Sequence, residues 1–407
     1  MSLLSVSEAR SRLLDPAVPI GRTEVLDLHS AAGRVLAEDL AARLTQPPFD
    51  ASAMDGYALR SKDAAAPGAI LRVIGTASAG HSFDGTVGEG EAVRIFTGAP
   101  VPTGADAVLI QEDTEKLEDG RIRTTFASAP GRHIRPRGQD FAEDETVLSA
   151  GQSLDFTRLT LAAALNHGNV VVYRKPLVAI LATGDELVRP GENPGPDQIV
   201  GSNSFGVAAL ARENGADVLD LGIVPDDTAQ ITAAVRKAQD AGADVLVTLG
   251  GASVGDHDLV QRTLVGAGMQ LDFWKIAMRP GKPLMVGSLA NMHVLGLPGN
   301  PVSSMVCGLL FLEPLVCKLA RRSTRNREAI AKTANLLRAN DRRQDHLRAR
   351  LTRDDEGRLV AEPYEKQDSS MMKIFANSDC LIVRPPQAPE LAPGSPCSVL
   401  LLRRFEG

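Results

Sequence analysis

Strand and helix patterns alternate between residues 176 and 320, and this alternation constrains the fold more than any other feature of the sequence. The apolar runs PLVAILAT, DVLDLGIV and DVLVTL are separated by amphipathic segments such as SNSFGVAALARENG and DDTAQITAAVRKAQDAG, which begin with capping residues and end at glycine. This spacing predicts right-handed crossovers and a parallel, doubly wound sheet. Ligands of such sheets bind beyond the carboxyl ends of the strands.

The chain on either side of this α/β domain has different patterns. Residues 5–43 and 153–172 are predicted to be helical, and short β-like runs with Gly, Pro and Asp turns lie between them. Further β-like runs, HLRARL, CLIVRPP and CSVLLLRRF, predict a small C-terminal β-barrel-like domain. The sequence therefore predicts a multidomain α/β and β protein. The expected domains are 1–43 plus 141–175 (helical), 44–140 (inserted and β-rich), 176–322 (central α/β) and 323–407 (C-terminal β).

Composition argues against several classes of function. A net charge of -6, one Trp and three Tyr argue against nucleic-acid binding. The four cysteines form no C-x-x-C motif and no close Cys/His group, which argues against a disulfide framework and a zinc site. The start of the chain lacks a signal-peptide pattern, and we expect no run that approaches the roughly 18 apolar residues of a membrane span. We expect a cytoplasmic protein with no nucleic-acid or membrane partner, whose anionic ligands are small.

Three of the strand patterns run into loops that are suited to bind an anion. GDEL places Asp185 and Glu186 after the first strand, and GGASVGDHD follows DVLVTL with Gly250, Gly251 and Ser253. PGNPVSS follows HVLGL and places Ser303 in the first turn of a helix, where N–H groups are free to bind an oxyanion. Each motif alone also fits a purely structural turn or a solvated strand end. Their occurrence after successive strands favours a shared polar crevice.

The segment KIAMRPGKPLMVG gathers three cations, Lys275, Arg279 and Lys282, although the chain as a whole is acidic. Pro280 and Pro283 fix the backbone, and the glycine between them permits close approach of a ligand. A solvated cationic face is the common alternative for such residues. The rigid frame at the entry to an apolar strand favours an oxyanion pocket instead.

Taken together, the motifs TGDEL, SNS, GIVPDD, GGASVGDHD, RPGKP and LPGNPVSS occur in an order that resembles the molybdopterin molybdenumtransferase family (MoeA and the E domain of gephyrin). The resemblance extends upstream to PPFDASAMDGYAL, RIFTGAP and RPRGQD, and so spans almost the whole chain. It implies a central domain of the molybdopterin-binding type. It also implies that adenylylated molybdopterin and molybdate are the substrates, that Mg²⁺ assists the release of AMP, and that molybdenum passes to the dithiolene.

The resemblance also implies a set of site residues and partners. The residues expected to be catalytic are Asp55, Thr97, Asp140, Glu186, Asp227 and Asp258. The residues expected to bind substrate are Asp185, Gly250, Gly251, Ser253, Lys275, Arg279, Lys282, Ser303, Arg343, Arg348 and Ser369. Mg²⁺ is expected at some of Asp55, Asp185, Glu186, Asp227 and Asp258, since hard carboxylates without His or Cys suit this ion. The expected partners are a second copy of the chain, in a homodimer, and a molybdopterin adenylyltransferase as the upstream donor.

Two alternative functions stay open at this point. Single-domain molybdopterin adenylyltransferases resemble residues 176–320, but they lack the inserted β domain with its SAMDGYA segment. A scaffold function like that of gephyrin would use the same fold, although the sequence has no long linker and no second α/β domain of this type. Arg279 also departs from the family, in which Lys is more usual, and a guanidinium is not equivalent to an ammonium group.

Overall fold

The computed structural model of the chain describes residues 3–250, 259–403 and 405. The chain folds into two compact units. Unit 1 consists of Met1–Glu24, Gly33–Val35 and Val172–Gly407, and unit 2 consists of Val25–Ala32 and Leu36–Val171.

The N-terminal segment forms one short helix, α1 (Val6–Leu14), followed by strand β1 (Thr23–Asp27). Ser5 caps α1, since its hydroxyl accepts a hydrogen bond from the Glu8 N–H at 3.1 Å. The prediction of helix throughout residues 5–43 is correct at its start and wrong for the stretch AAGRVLAEDL. Gly33 lies in that stretch with a φ of 70°, a left-handed conformation that interrupts an α-helix.

Unit 2 consists mainly of short strands. They are β2 (Leu40–Ala41), β3 (Ala51–Ser52), β4 (Gly56–Leu59), β5 (Ile70–Ala77), β6 (Glu91–Ile95), β7 (Ala107–Ile110), β8 (Thr114–Lys116), β9 (Arg121–Thr124), β10 (Ile134–Arg135) and β11 (Thr146–Leu148). Six of them form one sheet in the order β7-β4-β6-β5-β9-β8. The predicted strands ILRVIG, AVRIF, AVLIQ and RIRTTF form β5, β6, β7 and β9. The β-rich character of this region is confirmed.

Helix α2 (Phe156–Ala164) and strand β12 (Asn169–Tyr173) follow these strands. Asp155 caps α2 by accepting hydrogen bonds from the N–H groups of Thr157 and Arg158, both at 3.0 Å. The prediction of helix over 153–172 is therefore confirmed for its first part only. Asn166 has a φ of 68° just after α2, and the β-branched run that follows forms a strand.

The core of unit 1 is a six-stranded sheet with helices on both faces. The helices and strands of this part of unit 1 are β13 (Leu177–Thr183), β14 (Leu187–Val188), β15 (Ile199–Val200), α3 (Asn203–Glu213), β16 (Asp217–Val224), α4 (Thr228–Asp240), β17 (Val245–Leu249), α5 (Leu259–Gly266), β18 (Gln270–Lys275), β19 (Met278–Arg279), β20 (Pro283–Leu289), β21 (Met292–Leu297), α6 (Pro301–Cys307) and α7 (Glu313–Leu319). The short strands β14 and β15 pair with each other, and β19 pairs with a strand of the C-terminal barrel. Residues of α1, α3, α6 and α7 pack on one face of the sheet, and residues of α4 and α5 pack on the other. The doubly wound arrangement is confirmed.

The sheet is mixed rather than fully parallel, which corrects the sequence-based expectation. Its strand order is β16-β13-β17-β21-β20-β18, and the first four strands are parallel. Strands β20 and β18 are antiparallel to their neighbours. Only Ala290 and Asn291 separate β20 from β21, and a connection this short forms a hairpin and cannot form a crossover.

Helices α6 and α7 continue into each other through a π-helical segment, Gly308–Leu312. The resulting helix, Pro301–Leu319, has 19 residues and a mean hydropathy of 1.7, so the prediction that no run approaches the length of a membrane span is wrong here. However, 83% of this segment is buried inside the protein, as in the core helix of a globular fold. It packs with the sheet through Val306, Phe311 and Leu315.

The C-terminal part of unit 1 is a closed barrel, as predicted. It contains β22 (Glu328–Thr333), β23 (Gln344–Arg353), β24 (Leu359–Pro363), helix α8 (Met372–Ala376), β25 (Cys380–Arg384) and β26 (Pro396–Leu401). The strand order β23-β24-β22-β26-β25 closes because β25 also pairs with β23. All four cysteines of the chain are unpaired and buried, and burial raises the pKa of each thiol. Buried thiols of this kind act as small apolar packing groups.

Candidate functional site

A crevice of about 620 Å³ lies in unit 1, at the carboxyl ends of the parallel strands. The ends of β13, β17 and β21, the starts of α3 and α6, and the ribbon of β14 and β15 contribute its walls. Three of the predicted site residues line it, namely Glu186, Gly250 and Lys282. The described parts of the three predicted loops, which include only Gly250 of GGASVGDHD, therefore lie at one edge of the sheet.

Close packing of two strand ends determines the floor of the crevice. Gly250, after β17, has a φ of 94°, and a Cβ atom there would lie 2.6 Å from the backbone oxygen of Thr183 at the end of β13. Any other residue would clash and be strained. Gly184 is buried, with a φ of 148°, and turns the chain toward Glu186.

Carboxylates cluster at the mouth of the crevice. Asp185 Oδ1 accepts a hydrogen bond from the Asp226 N–H at 3.1 Å. Loss of solvent raises the pKa of Asp226, and repulsion from Asp185 and Glu186 raises it further. Asp226 lines the crevice, whereas the predicted Asp227 caps α4, since its side chain accepts a hydrogen bond from the Gln230 N–H at 2.8 Å.

The three predicted cations have different environments. Lys282 is half-buried, lines the crevice and forms no ion pair with any residue that the structure describes. Arg279 donates to Asp345 of the barrel and lies 3.4 Å from Asp341, so its guanidinium is directed toward carboxylates of the barrel. The Lys275 ammonium lies 4.7 Å from the centre of the Trp274 ring, in a cation–π contact. Lys282 is thus the predicted cation that the fold places in the crevice.

The start of α6 is joined to a loop of the barrel. The Asn300 side-chain amide donates to the Ser369 hydroxyl at 3.0 Å, and the Val302 N–H donates to the Ser369 backbone oxygen at 3.1 Å. Asn203, at the start of α3, donates to the Gly299 carbonyl at 2.7 Å. Ser303 is buried in the first turn of α6. Ser369 therefore lies beside the start of α6, and its role in substrate binding stays a prediction of the family resemblance.

The two predicted barrel arginines are engaged within the barrel. Arg348 is 1% exposed and donates to the Asp368 carbonyl at 3.1 Å, and burial lowers its pKa to about 10. It holds the loop that carries Ser369. Arg343 pairs with Asp341 at 3.2 Å, and this contact lowers the pKa of the Asp341 carboxyl.

Unit 2 holds the predicted residues Asp55, Thr97 and Asp140. The Asp55 carboxylate is exposed and accepts hydrogen bonds from both the N–H and the hydroxyl of Thr97, each at 2.7 Å. These two bonds lower the pKa of Asp55. Asp140 is also exposed, and its N–H donates to the Gln46 carbonyl at 3.0 Å. Gly251, Ser253 and Asp258 lie outside the described residues.

The described residues contain no group of three or more His, Cys, Asp or Glu side chains that could hold a metal ion by themselves. Mg²⁺ is commonly held by one or two carboxylates together with waters and substrate phosphates. Asp185, Glu186 and Asp226 could supply such carboxylates. Burial and, after it, repulsion from Asp185 and Glu186 raise the pKa of Asp226, and a bound cation would relieve this repulsion.

Several residues that line the crevice belong to no predicted site. The sequence predicted Asp227 of GIVPDD, whereas Asp226, the residue before this helix cap, lines the crevice. Asn203 and Asn300 lie at helix starts, where polar side chains commonly cap, and this pattern could have drawn attention to them. Ile199 and Val200 form an exposed apolar wall that no motif indicated.

Three family profiles match consecutive parts of the chain. Residues 4–166 match the MoeA N-terminal region (domain I and II), residues 179–318 match a probable molybdopterin binding domain, and residues 331–402 match the MoeA C-terminal region (domain IV). Together they cover both units.

Two curated relatives match over nearly their whole length. The chain is 38% identical over 385 residues to the molybdopterin molybdenumtransferase of Haemophilus influenzae, which covers 94% of each chain. It is 36% identical over 391 residues to molybdopterin molybdenumtransferase 2 of Mycobacterium tuberculosis, which covers 93% of this chain and 95% of the relative.

The fold agrees with these matches. A crystal structure of a molybdopterin biosynthesis MoeA protein from Pyrococcus horikosii has a TM-score of 0.83 to this structure at 30% sequence identity, covering 99% of this chain and 100% of that one. Sequence and fold thus agree over the full length, and the chain belongs to the molybdopterin molybdenumtransferase (MoeA) family.

Proposed function

We propose that this protein is a transferase of molybdenum cofactor biosynthesis, which transfers molybdenum from molybdate to molybdopterin and releases AMP from the adenylylated substrate. The observation that carries the proposal is the composition of the crevice. It combines a half-buried cation that is unpaired among the described residues, Lys282, with the start of α6 and an acidic cluster across the strand ends. An oxyanion and a phosphoanhydride need such a combination.

In this proposal the oxyanion lies between Lys282 and the start of α6. Lys282 supplies charge, and the start of α6 supplies the positive end of its helix dipole. Pro301 has no N–H group, and the Val302 and Ser304 N–H groups donate to the Ser369 and Asn300 carbonyls within the protein. Asn203 fixes the turn before α6 through the Gly299 carbonyl, and Ser369 approaches the same turn from the barrel. Arg279 acts indirectly in this proposal: its guanidinium donors bind Asp345 and Asp341 of the barrel, so it helps to hold the barrel in place and does not bind the oxyanion itself.

Asp185, Glu186 and Asp226 are proposed to hold Mg²⁺ together with oxygens of the phosphoanhydride. The bound ion would offset the repulsion between these carboxylates and an anionic substrate, and it would stabilise negative charge that develops on the phosphate. The support for this role is the raised pKa of Asp226, which is caused first by burial and then by repulsion from Asp185 and Glu186.

We further propose that the enzyme acts as a homodimer in the cytoplasm and receives its substrate from a molybdopterin adenylyltransferase. Asp55 and Thr97 would face the crevice of the partner subunit. The exposure of Asp55 and its depressed pKa support this role, since they keep the carboxylate ionised and accessible. The division into 1–43 plus 141–175, 44–140, 176–322 and 323–407 is also proposed, and the gaps between the three family profiles lie near two of these boundaries.

A reconstituted assay tests the proposed function. Purified protein, adenylylated molybdopterin, molybdate and Mg²⁺ should release AMP in a reaction that depends on molybdate. The Asp55→Asn variant should bind molybdate but release little AMP, whereas near-normal turnover would remove Asp55 from the mechanism.

The same assay separates the alternative functions. An adenylyltransferase would instead consume ATP with unmodified molybdopterin, and AMP release from the adenylylated substrate would be absent. A scaffold protein would do neither, and it would fail to restore molybdoenzyme activity in a strain that lacks the transferase. Either pattern would overturn the proposal.

A further inference from the structure

The crevice contains a buried hydroxyl that no described residue satisfies. Thr183, the last residue of β13, is 3% exposed and lines the crevice, yet its Oγ1 has no hydrogen-bond partner among the residues that the structure describes. A hydroxyl in such a place lowers the stability of the folded state unless a ligand or water satisfies it. Buried polar groups without a hydrogen-bond partner are uncommon in native proteins, so each of them needs a structural or functional explanation.

The fold holds this hydroxyl in a defined position. Thr183 continues the row of Ala179 and Leu181, which belong to the core on the α4 and α5 side of the sheet. Its backbone oxygen and its Oγ1 would lie 2.6 and 3.4 Å from a Cβ atom at position 250, so only glycine in the neighbouring strand end leaves room for it. The β-branched side chain has few rotamers, which limits where the hydroxyl can point.

We propose that the Thr183 hydroxyl is a substrate-binding group that donates a hydrogen bond to an oxygen of a tetrahedral oxyanion in the crevice. This inference rests on the proposed function. The ligand chemistry is shared by molybdate and by the phosphate of the nucleotide. A hydroxyl can donate to either anion without adding charge, and Lys282 in the same crevice supplies the charge.

A matched control exists on the neighbouring strand. Thr248 in β17 is fully buried, lies on the same face of the sheet and also has an Oγ1 without a partner among the described residues. Its register partner in β13 is Leu181, so it lies about 7 Å deeper in the sheet than Thr183. It is not one of the residues that line the crevice.

The test uses the full-length protein with Thr183→Val, Thr183→Ser and Thr248→Val. Thermal unfolding without ligand comes first, followed by calorimetric titration with sodium molybdate and, separately, with AMP. Both valine variants should unfold at a higher temperature than wild type, because each loses a buried unsatisfied hydroxyl. Thr183→Val should bind one of the two anions about 10- to 100-fold more weakly. Thr183→Ser and Thr248→Val should bind both like wild type.

The anion whose affinity falls identifies the ligand of Thr183. Unchanged affinity of Thr183→Val for both anions would overturn the inference and leave the proposed function intact. A lower unfolding temperature for Thr183→Val than for wild type would also overturn it, since the hydroxyl would then be satisfied within the free protein. If wild type bound neither anion, the proposed function and this inference would both fall.

Discussion

Arg279 donates a hydrogen bond to the buried carboxylate of Asp345, and the pair joins the segment before β20 to the long strand β23 of the barrel. Asp345 is 5% exposed, and its hydrogen bond is the largest contribution to the raised pKa of Arg279. A Lys at this position could supply charge but could not reach Asp341 and Asp345 with a planar fork. Arg279 thus adds a side-chain contact to the backbone pairing of β19 with the barrel strand β23.

Replacement of Arg279 should lower stability. Arg279→Met leaves the Asp345 carboxylate buried without its cation, and the free energy of unfolding should fall by about 2 kcal/mol in urea titrations. Arg279→Lys should lose less, because it keeps a positive charge. The control is Arg358→Met, which removes an exposed pair with Asp354 and should lower the free energy of unfolding much less. Equal losses in the Met variants would contradict the role of Arg279.

The acidic cluster should respond to Mg²⁺ through Asp226. Asp226→Asn removes one of three repelling carboxylates, so the variant should unfold at a higher temperature than wild type without Mg²⁺ and gain less when Mg²⁺ is added with AMP. Asp227→Asn is the matched control, since asparagine also caps helices well and should keep the α4 cap. Differential scanning fluorimetry measures both. If Asp227→Asn reduced the stabilisation by Mg²⁺ more than Asp226→Asn did, Mg²⁺ binding would belong to Asp227 and not to Asp226.

Buried His346 should make stability depend on pH. It is fully buried, and burial lowers its pKa from 6.5 to about 4. The unfolded chain therefore binds a proton at His346 before the folded protein does. The contribution of His346 to the free energy of unfolding is therefore complete above about pH 6.5, and it declines by up to about 3 kcal/mol as the pH falls to 4. In urea titrations between pH 4 and 7, His346→Gln should show a smaller decline than wild type. Identical pH slopes would exclude His346 as the cause.

Thr97 should control the ionisation of Asp55. Its two hydrogen bonds lower the pKa of this carboxyl, so Thr97→Val should raise that pKa by removing the hydroxyl. If ionised Asp55 is needed for AMP release, the acid limb of the kcat/KM profile should move to higher pH in Thr97→Val. Thr97→Ser keeps the hydroxyl and should retain the wild-type profile. A profile that is lowered at every pH without a shift would indicate a different role for Thr97.

Local patterns predicted much of the fold and the position of the crevice. Capping residues and terminal glycines located α3 and α4, and apolar runs located the parallel strands. Because the carboxyl ends of parallel strands converge, the sequence predicted the loops of Glu186 and Gly250 at one edge of the sheet. Lys282 was expected only in an oxyanion pocket, and it reaches this edge because β20 runs antiparallel to β21.

The features that the sequence did not predict depend on contacts between distant segments. The pairing of Arg279 with Asp345 requires the barrel to lie beside the RPGKP segment, and no local pattern encodes that. Asp227 caps α4 and Asp226 faces the crevice because α4 begins at Thr228, and sequence patterns locate such a boundary only to within a few residues. The unsatisfied Thr183 hydroxyl is a property of packing and has no sequence signal.

The Val302 N–H already donates to the backbone oxygen of Ser369. One N–H group cannot serve two acceptors at full strength, so an anion that reaches the first turn of α6 competes with the barrel for this donor. Anion binding at this N–H and attachment of the barrel through Ser369 are therefore alternatives, so filling the crevice would loosen the barrel at this point.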